Sequence, residues 1–169
     1  MQTATLGGGC FWCVEACLRE LDGVIDVVPG LASHEPSGAD ELDDPAEVVQ
    51  VRFDPARLSF LDLLAVFFRV HDPTTRDRQG DDVGREYRSV IFYHDDEQRA
   101  VAAHAIVGLD GAFADPVVTE LSPLRAFRAA ADKHHDYFRR NPEEQYCRVI
   151  IAPKIEKLRK LMSTVTASR

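Results

Sequence analysis

Three consecutive glycines, Gly7, Gly8 and Gly9, run directly into Cys10 and then into the apolar stretch "FWCVEACLREL". Glycine lacks a Cβ, so the chain can turn tightly off the preceding "TATLG", which reads as a short strand, and Cys10 then falls at the N-terminus of a helix. Unpaired backbone amides and the positive end of the helix dipole lie at that point. They favour a thiolate over a thiol, so this placement predicts a Cys10 pKa below that of a free cysteine and a reactive nucleophile. The competing interpretation is a small buried hydrophobe after a turn. Phe11 and Trp12 project about 100° apart on the helix, so at least one can flank the sulfur, although two ordinary core aromatics would give the same pattern.

The segment "GVIDVVPGL", opened by the Asp22-Gly23 turn, supplies a second strand and completes a βαβ-like opening. Beyond a polar, Pro/Gly-rich connection at residues 32–45, expected to bend around a site or to be mobile, "EVVQVRF" reads as a strand. "SFLDLLAVFFRV" reads as a helix with Ser59 at its N-cap and Asp62 three residues on. Further along, "YRSVIFYH" and "PVVTEL" are expected to be strands around the helix "DEQRAVAAHAIVGL". Residues 124–140 are expected to be helical, "YCRVII" a short strand and "KIEKLRKLM" a closing helix. Strands and helices mixed in this way imply an α+β two-layer sandwich, a ferredoxin-like mixed β-sheet core with helices packed on it. With 169 residues, 45% of them hydrophobic, the whole chain, 1–169, is expected to form one domain.

The excess of 28 acidic over 20 basic residues, a formal charge of −8, repels phosphate backbones and anionic lipid. Neither nucleic acid nor a membrane is therefore an expected partner. With no basic n-region or apolar h-region at residues 1–10 and no apolar run of spanning length, the expected location is the cytoplasm.

Four cysteines, at 10, 13, 17 and 147, are too few and too unevenly spread for a secreted disulfide framework. Cys10 and Cys13 form a Cys-x-x-Cys at a helix start, the arrangement of dithiol redox proteins. Their Cβ atoms would lie about 5–6 Å apart, wider than a relaxed disulfide wants, so a bond between them should be strained and easily reduced. Cys17 lies roughly 10 Å further along the helix axis than Cys10 and is expected to pack in the core. A zinc site would need Cys10, Cys13, Cys147 and one of His134 or His135, but the second half lacks a paired ligand motif, so no metal is expected.

With "GGGCFWCVEA" in view, the chain resembles the A-type peptide methionine sulfoxide reductases, whose hallmark is GCFW at a helix start. "AEVVQVRFDP", "FFRVHDPTTRDRQGDDVGREYRSVIFYHDDEQ", "HHDYFRRNPEEQYC" and "IIAPKIEKLRK" are similar to family segments in family order. The resemblance implies that Cys10 is the nucleophile and that Phe11 and Trp12 hold the substrate's S-methyl group. It implies that the Tyr87 hydroxyl binds the sulfoxide oxygen, that Glu47 protonates that oxygen, and that Asp82 supports the site. Taken singly, Glu47 would be a solvated strand end, Asp82 a turn residue and Tyr87 a structural tyrosine. The implied reaction is reduction of the S-epimer of methionine sulfoxide, protein-bound or free, through a Cys10 sulfenic acid and an intramolecular disulfide. Cys13 and Cys147 compete for the resolving role, Cys13 being favoured for the first step with Cys147 receiving the disulfide from it. The implied reductant is an external dithiol of thioredoxin type, with no resident cofactor, and the implied state is a monomer.

The chain departs from the family pattern in the shortened stretch 31–46, where Leu31 stands in place of a second pocket tyrosine. Losing one donor to a developing oxyanion could cost on the order of 100-fold in rate. Two rivals follow: a degenerate member that binds methyl sulfoxides without turnover, and a general dithiol oxidoreductase. Consumption of reductant separates the first from the enzyme, and disulfide exchange without any sulfoxide identifies the second.

Overall fold

The structure, a computed structural model, describes residues 1–35 and 41–167. Its centre is built from β1 (Gln2–Gly8), α1 (Phe11–Leu18), β2 (Val24–Ser33), β3 (Ala46–Phe53), α2 (Phe60–Val70) and, after the two-residue strands β4 (Arg78–Gln79) and β5 (Asp82–Val83), β6 (Ser89–Tyr93). The order β6-β1-β3-β2, antiparallel throughout, is the ferredoxin-like arrangement that the sequence predicts. Beyond α3 (Asp96–Val107), β7 (Glu120–Pro123) adds parallel to β6, and β8 (Ala126–Ala129) adds antiparallel to β2, making the sheet mixed.

Strand alternation decides which side chains face the helices. Val49, Val51 and Phe53 of β3 and Ala4 and Leu6 of β1 point into the main core, whereas Ala46 and Val48 pack on the opposite face with Val90 and Phe92. Helix α2 lays Phe60, Leu63, Leu64, Phe67 and Phe68 on that core, a one-sided spacing of three and four residues. Its start is fixed as expected: the Ser59 hydroxyl accepts the Asp62 amide at 3.0 Å.

Helix α1 is buried on two sides. Phe11, Val14 and Leu18 join the sheet core, while Cys13, Ala16 and Cys17 pack under Cys147, Ile151, Ile155 and Leu158 of the C-terminal segment. That second contact gathers three of the four thiols into one apolar cluster.

Three expectations of local structure are corrected. Residues 124–140 are not one helix: β8 fills the edge of β2, and only the 3₁₀ turn Asp132–His134 and α4 (Tyr137–Arg140) are helical. Gly30 admits that strand, since a Cβ there would lie 2.4 Å from the Arg128 carbonyl oxygen, and Asp136 at φ 51° interrupts the helix. "YCRVII" is not a strand but a π-helical turn, Cys147–Ile151, leading into α5 (Ala152–Ala167). Cys147 and Ile151, four residues apart, dock on α1 while Val149 is exposed, the spacing of a helical turn rather than of a strand. Tyr87 belongs to the 3₁₀ turn Arg85–Tyr87, not to the strand that follows. Residues 36–40 of the expected loop lie outside the described residues. No helix among the described residues is long and apolar enough to cross a membrane.

Candidate active site

Cys10 is the N-cap of α1, and its carbonyl accepts the Cys13 amide at 3.1 Å. Two of the glycines before it are sterically required. Gly9 sits at φ +96°, and a Cβ at Gly7 would meet the Glu47 carbonyl oxygen at 2.9 Å. Glu47 follows the parity of Val49 and Val51 to the helix side of β3, where its Oε2 accepts the Phe11 amide at 3.0 Å. The first free amide of α1 is thus spent on Glu47 rather than on the sulfur.

The acid–base consequences reverse part of the sequence expectation. Burial first, then the neighbouring Glu47 carboxylate, push the Cys10 thiol up to about 12, against hydrogen bonds from the Trp12 amide and Tyr146. The predicted thiolate at the helix start is therefore not the resting state: an eight-residue helix whose first amide is taken cannot outweigh desolvation. Glu47 is itself raised to about 7 by burial and by Asp82 and Glu86, with the Phe11 amide opposing. The more acidic thiol is Cys13, lowered to about 7 by its hydrogen bond with Cys17 and by Lys154, against burial.

A cleft of about 440 Å³ opens over the two thiols, lined by Cys10, Cys13, Asp82, Tyr146 and Lys154. The β4–β5 hairpin, turning at Gly80 with φ +57°, carries Asp82 to this cleft. Tyr87 is half-buried nearby, its phenol raised by burial and by Glu47, Asp82, Glu86 and Cys10. Arg88, 2% exposed, ties this region down, donating to Glu120 Oε2 at 3.1 Å and to the carbonyls of Asp44, Pro45 and Arg85. Leu31 is the cross-strand partner of Glu47, so the position that departs from the family pattern does border the carboxyl. Cys147, fully buried and raised by that burial, lies in the cluster with Cys13 and Cys17 rather than in the cleft. All four cysteines are free thiols.

The aromatic side is more elaborate than the sequence suggests. Trp12 stacks on Tyr137 with centroids 3.8 Å apart and planes 7° apart, donates its indole N–H to His134 Nδ1 at 3.2 Å, and meets Tyr146 edge-on at 6.1 Å. Of Tyr137, His134 and Tyr146, local pattern singles out only His134, and that as a possible zinc ligand. Only the adjacency of Tyr146 to Cys147 hints at the third.

Glu15, 1% exposed, fixes that wall. Its Oε1 accepts the Asp136 amide at 2.9 Å and Arg19 NH2 at 3.0 Å, pinning the left-handed residue that delivers Tyr137 to Trp12. Glu15→Ala is expected to lower stability by about 3 kcal/mol, because it leaves Arg19 and the amide without their buried acceptor. Urea unfolding at pH 7 measures this loss.

A family model for peptide methionine sulfoxide reductase matches residues 2–166. The chain belongs to the peptide methionine sulfoxide reductase family. Its relatives include the reductase of Halobacterium salinarum, 51% identical over 166 residues covering 94% of each chain. Among solved structures, reduced Mxr1 from Saccharomyces cerevisiae superposes with a TM-score of 0.80 at 32% identity, covering 86% of this chain and 88% of that one. Mxr1 in complex with Trx2 matches with a TM-score of 0.62 at 28% identity, over 80% and 84% of the two chains. The residues matched by the family model span the sheet, α1 and all four cysteines.

Proposed function

We propose that this reductase removes the oxygen from the S-epimer of methionine sulfoxide, in proteins or as the free amino acid, with Cys10 as nucleophile and Glu47 as acid. The pairing of a protonated Cys10 thiol with a carboxyl raised to about 7, both held by the first turn of α1, carries this reading. Phe11 and Trp12 hold the S-methyl group against their apolar faces, and Tyr87 and Asp82 flank the oxygen. Cys10 sulfur attacks the sulfoxide sulfur, Glu47 delivers a proton to the oxygen and is restored by the thiol proton, and the oxygen then passes to the Cys10 sulfur as its bond to the substrate sulfur and the new sulfur–sulfur bond both break. One thiol and one sulfoxide become one sulfenic acid and one thioether.

Cys13 is the better placed of the two resolving candidates. It lines the same cleft, and its Lys154 and Cys17 contacts favour the thiolate that attacks a sulfenic acid, releasing water and forming the Cys10–Cys13 disulfide. Cys147, in contact with the same apolar cluster, then takes the disulfide over from Cys13. An external dithiol reduces it, and the Mxr1–Trx2 complex supports a thioredoxin in that role. The chain works as a single-domain monomer in the cytoplasm and repairs oxidised proteins.

The test is a dithiol-driven assay on separated S and R epimers of a methionine sulfoxide peptide. Methionine is expected from S alone. Consumption of R, or disulfide exchange with no sulfoxide reduction, would overturn the proposal.

A further inference from the structure

Tyr146 has no role assigned above, yet it lines the cleft that holds the reacting sulfur. Its hydroxyl shares the cleft with Cys10, whose thiolate it favours, and donates to Asp82 Oδ2 at 3.1 Å. A phenol has a single proton, so it donates to Asp82 or to Cys10 but not to both at once. Thiol, phenol and carboxylate line the same cleft. The ring is half-buried and held edge-on against Trp12, and burial together with the negative charges around it keeps the phenol protonated far above neutrality.

Two features of the surroundings give the phenol a task. The charged neighbours that act on Cys10 are Glu47 and Cys13, while Lys154, in the same cleft, acts on Cys13, so a neutral donor is what is left to offset charge gathering on the Cys10 sulfur. Leu31, beside Glu47 across the strand pair, has no hydroxyl to contribute. Tyr146 also directly precedes Cys147 and the π-helical turn, a local irregularity of the kind found at functional segments. The phenol and the buried thiol are therefore carried on one backbone segment.

We propose that Tyr146 is a catalytic residue of the reduction step: its hydroxyl turns from Asp82 to donate to the Cys10 sulfur as the thiol proton leaves, stabilising the nucleophile during attack. No electrons or heavy atoms move in this step. The thiol proton passes to the carboxyl as described above, and the phenol's proton stays on its own oxygen. Once the sulfenic acid has formed, the phenol has no anionic sulfur to hold, and the segment bearing Cys147 is freed from Cys10.

This inference rests on the reductase reading and is tested with Tyr146→Phe, which keeps the ring against Trp12. Alkylation of Cys10 by iodoacetamide at pH 8, read by peptide mass, is expected to slow by on the order of 10- to 100-fold, the weight of one hydrogen bond to a charged group. Methionine formed in a single turnover should slow by a similar factor, while the conversion of sulfenic acid to disulfide should not. A purely structural role would lower the thermal midpoint and leave Cys10 alkylation unchanged, and that result would overturn the proposal. Should Tyr146→Phe not fold, Asp82→Ala removes the phenol's acceptor and is expected to speed Cys10 alkylation; an unchanged rate there counts against the proposal. A wild-type chain that turns over the S-epimer while Tyr146→Phe does so equally fast removes Tyr146 alone. A wild-type chain that does not turn it over removes the reductase reading.

Discussion

Replacing Glu47 by glutamine is expected to slow sulfoxide reduction by about 10²- to 10³-fold and to flatten its dependence on pH. Glutamine keeps the volume and can still accept the Phe11 amide, but it has no proton to give to the departing oxygen. In the native chain the acid is competent only while Glu47 is protonated. Its pKa is raised, to about 7, so the competent fraction is near complete at pH 5.5 and falls as pH rises through 7. The Cys10 thiol, at about 12, changes little over this range, so the single-turnover rate should decline by about tenfold for each pH unit above 8. Stopped-flow measurement of methionine formation between pH 5.5 and 9 checks both parts. A wild-type rate that climbs with pH would show that ionisation of the nucleophile limits the step. The same shift bears on stability: a folded-state pKa above the unfolded value makes deprotonation costly, so at pH 8 and above Glu47→Gln should be the more stable protein.

Cys10→Ser should abolish turnover, by a factor on the order of 10⁴ or more, as removal of a covalent nucleophile does elsewhere. A hydroxyl is a poorer nucleophile than a thiol toward sulfur and cannot carry the oxygen away as a sulfenic acid. Because Cys10 is the N-cap and serine caps at least as well, the fold should hold, with an unfolding midpoint no lower than the parent's. Activity surviving in this variant would move the chemistry to Cys13, the more acidic thiol. Comparing kcat/KM and thermal midpoint for the two chains separates loss of chemistry from loss of structure.

Much of this arrangement is legible in the chain before any coordinates. The glycine run, the Ser59 cap and the alternating strands place β1, α1, β3, α2 and β6 correctly because each is a local signal. The family-like segments bring Cys10, Glu47, Asp82 and Tyr87 together. What local reasoning misses depends on burial and on contacts between distant residues. The charge state of Cys10 follows the dipole argument only if the first amides of α1 face the sulfur, and Glu47, 36 positions later by chain number from Phe11, takes one of them. Residues 124–140 have helical composition, yet the open edge of β2 outweighs that preference and recruits β8. "YCRVII" is short, apolar and rich in β-branched residues like a strand, yet Cys147 and Ile151, four apart, face α1 while Val149 is exposed, and so short a run does not tell a strand from a turn of helix. The wall that Tyr146, Tyr137 and His134 build against Trp12, and the part of Glu15 in fixing it, become visible only once the C-terminal segment is folded over α1.

The most direct measurement of the central claim, that the oxygen leaves the substrate at Cys10, uses the Cys13→Ser/Cys147→Ser double variant without reductant. Mixed with an S-sulfoxide peptide, it should form one equivalent of methionine per chain and then stop, with a dimedone adduct on the peptide bearing Cys10. An adduct on Cys17 with Cys10 unmodified, or methionine formed with no sulfenic acid at any cysteine, would contradict it.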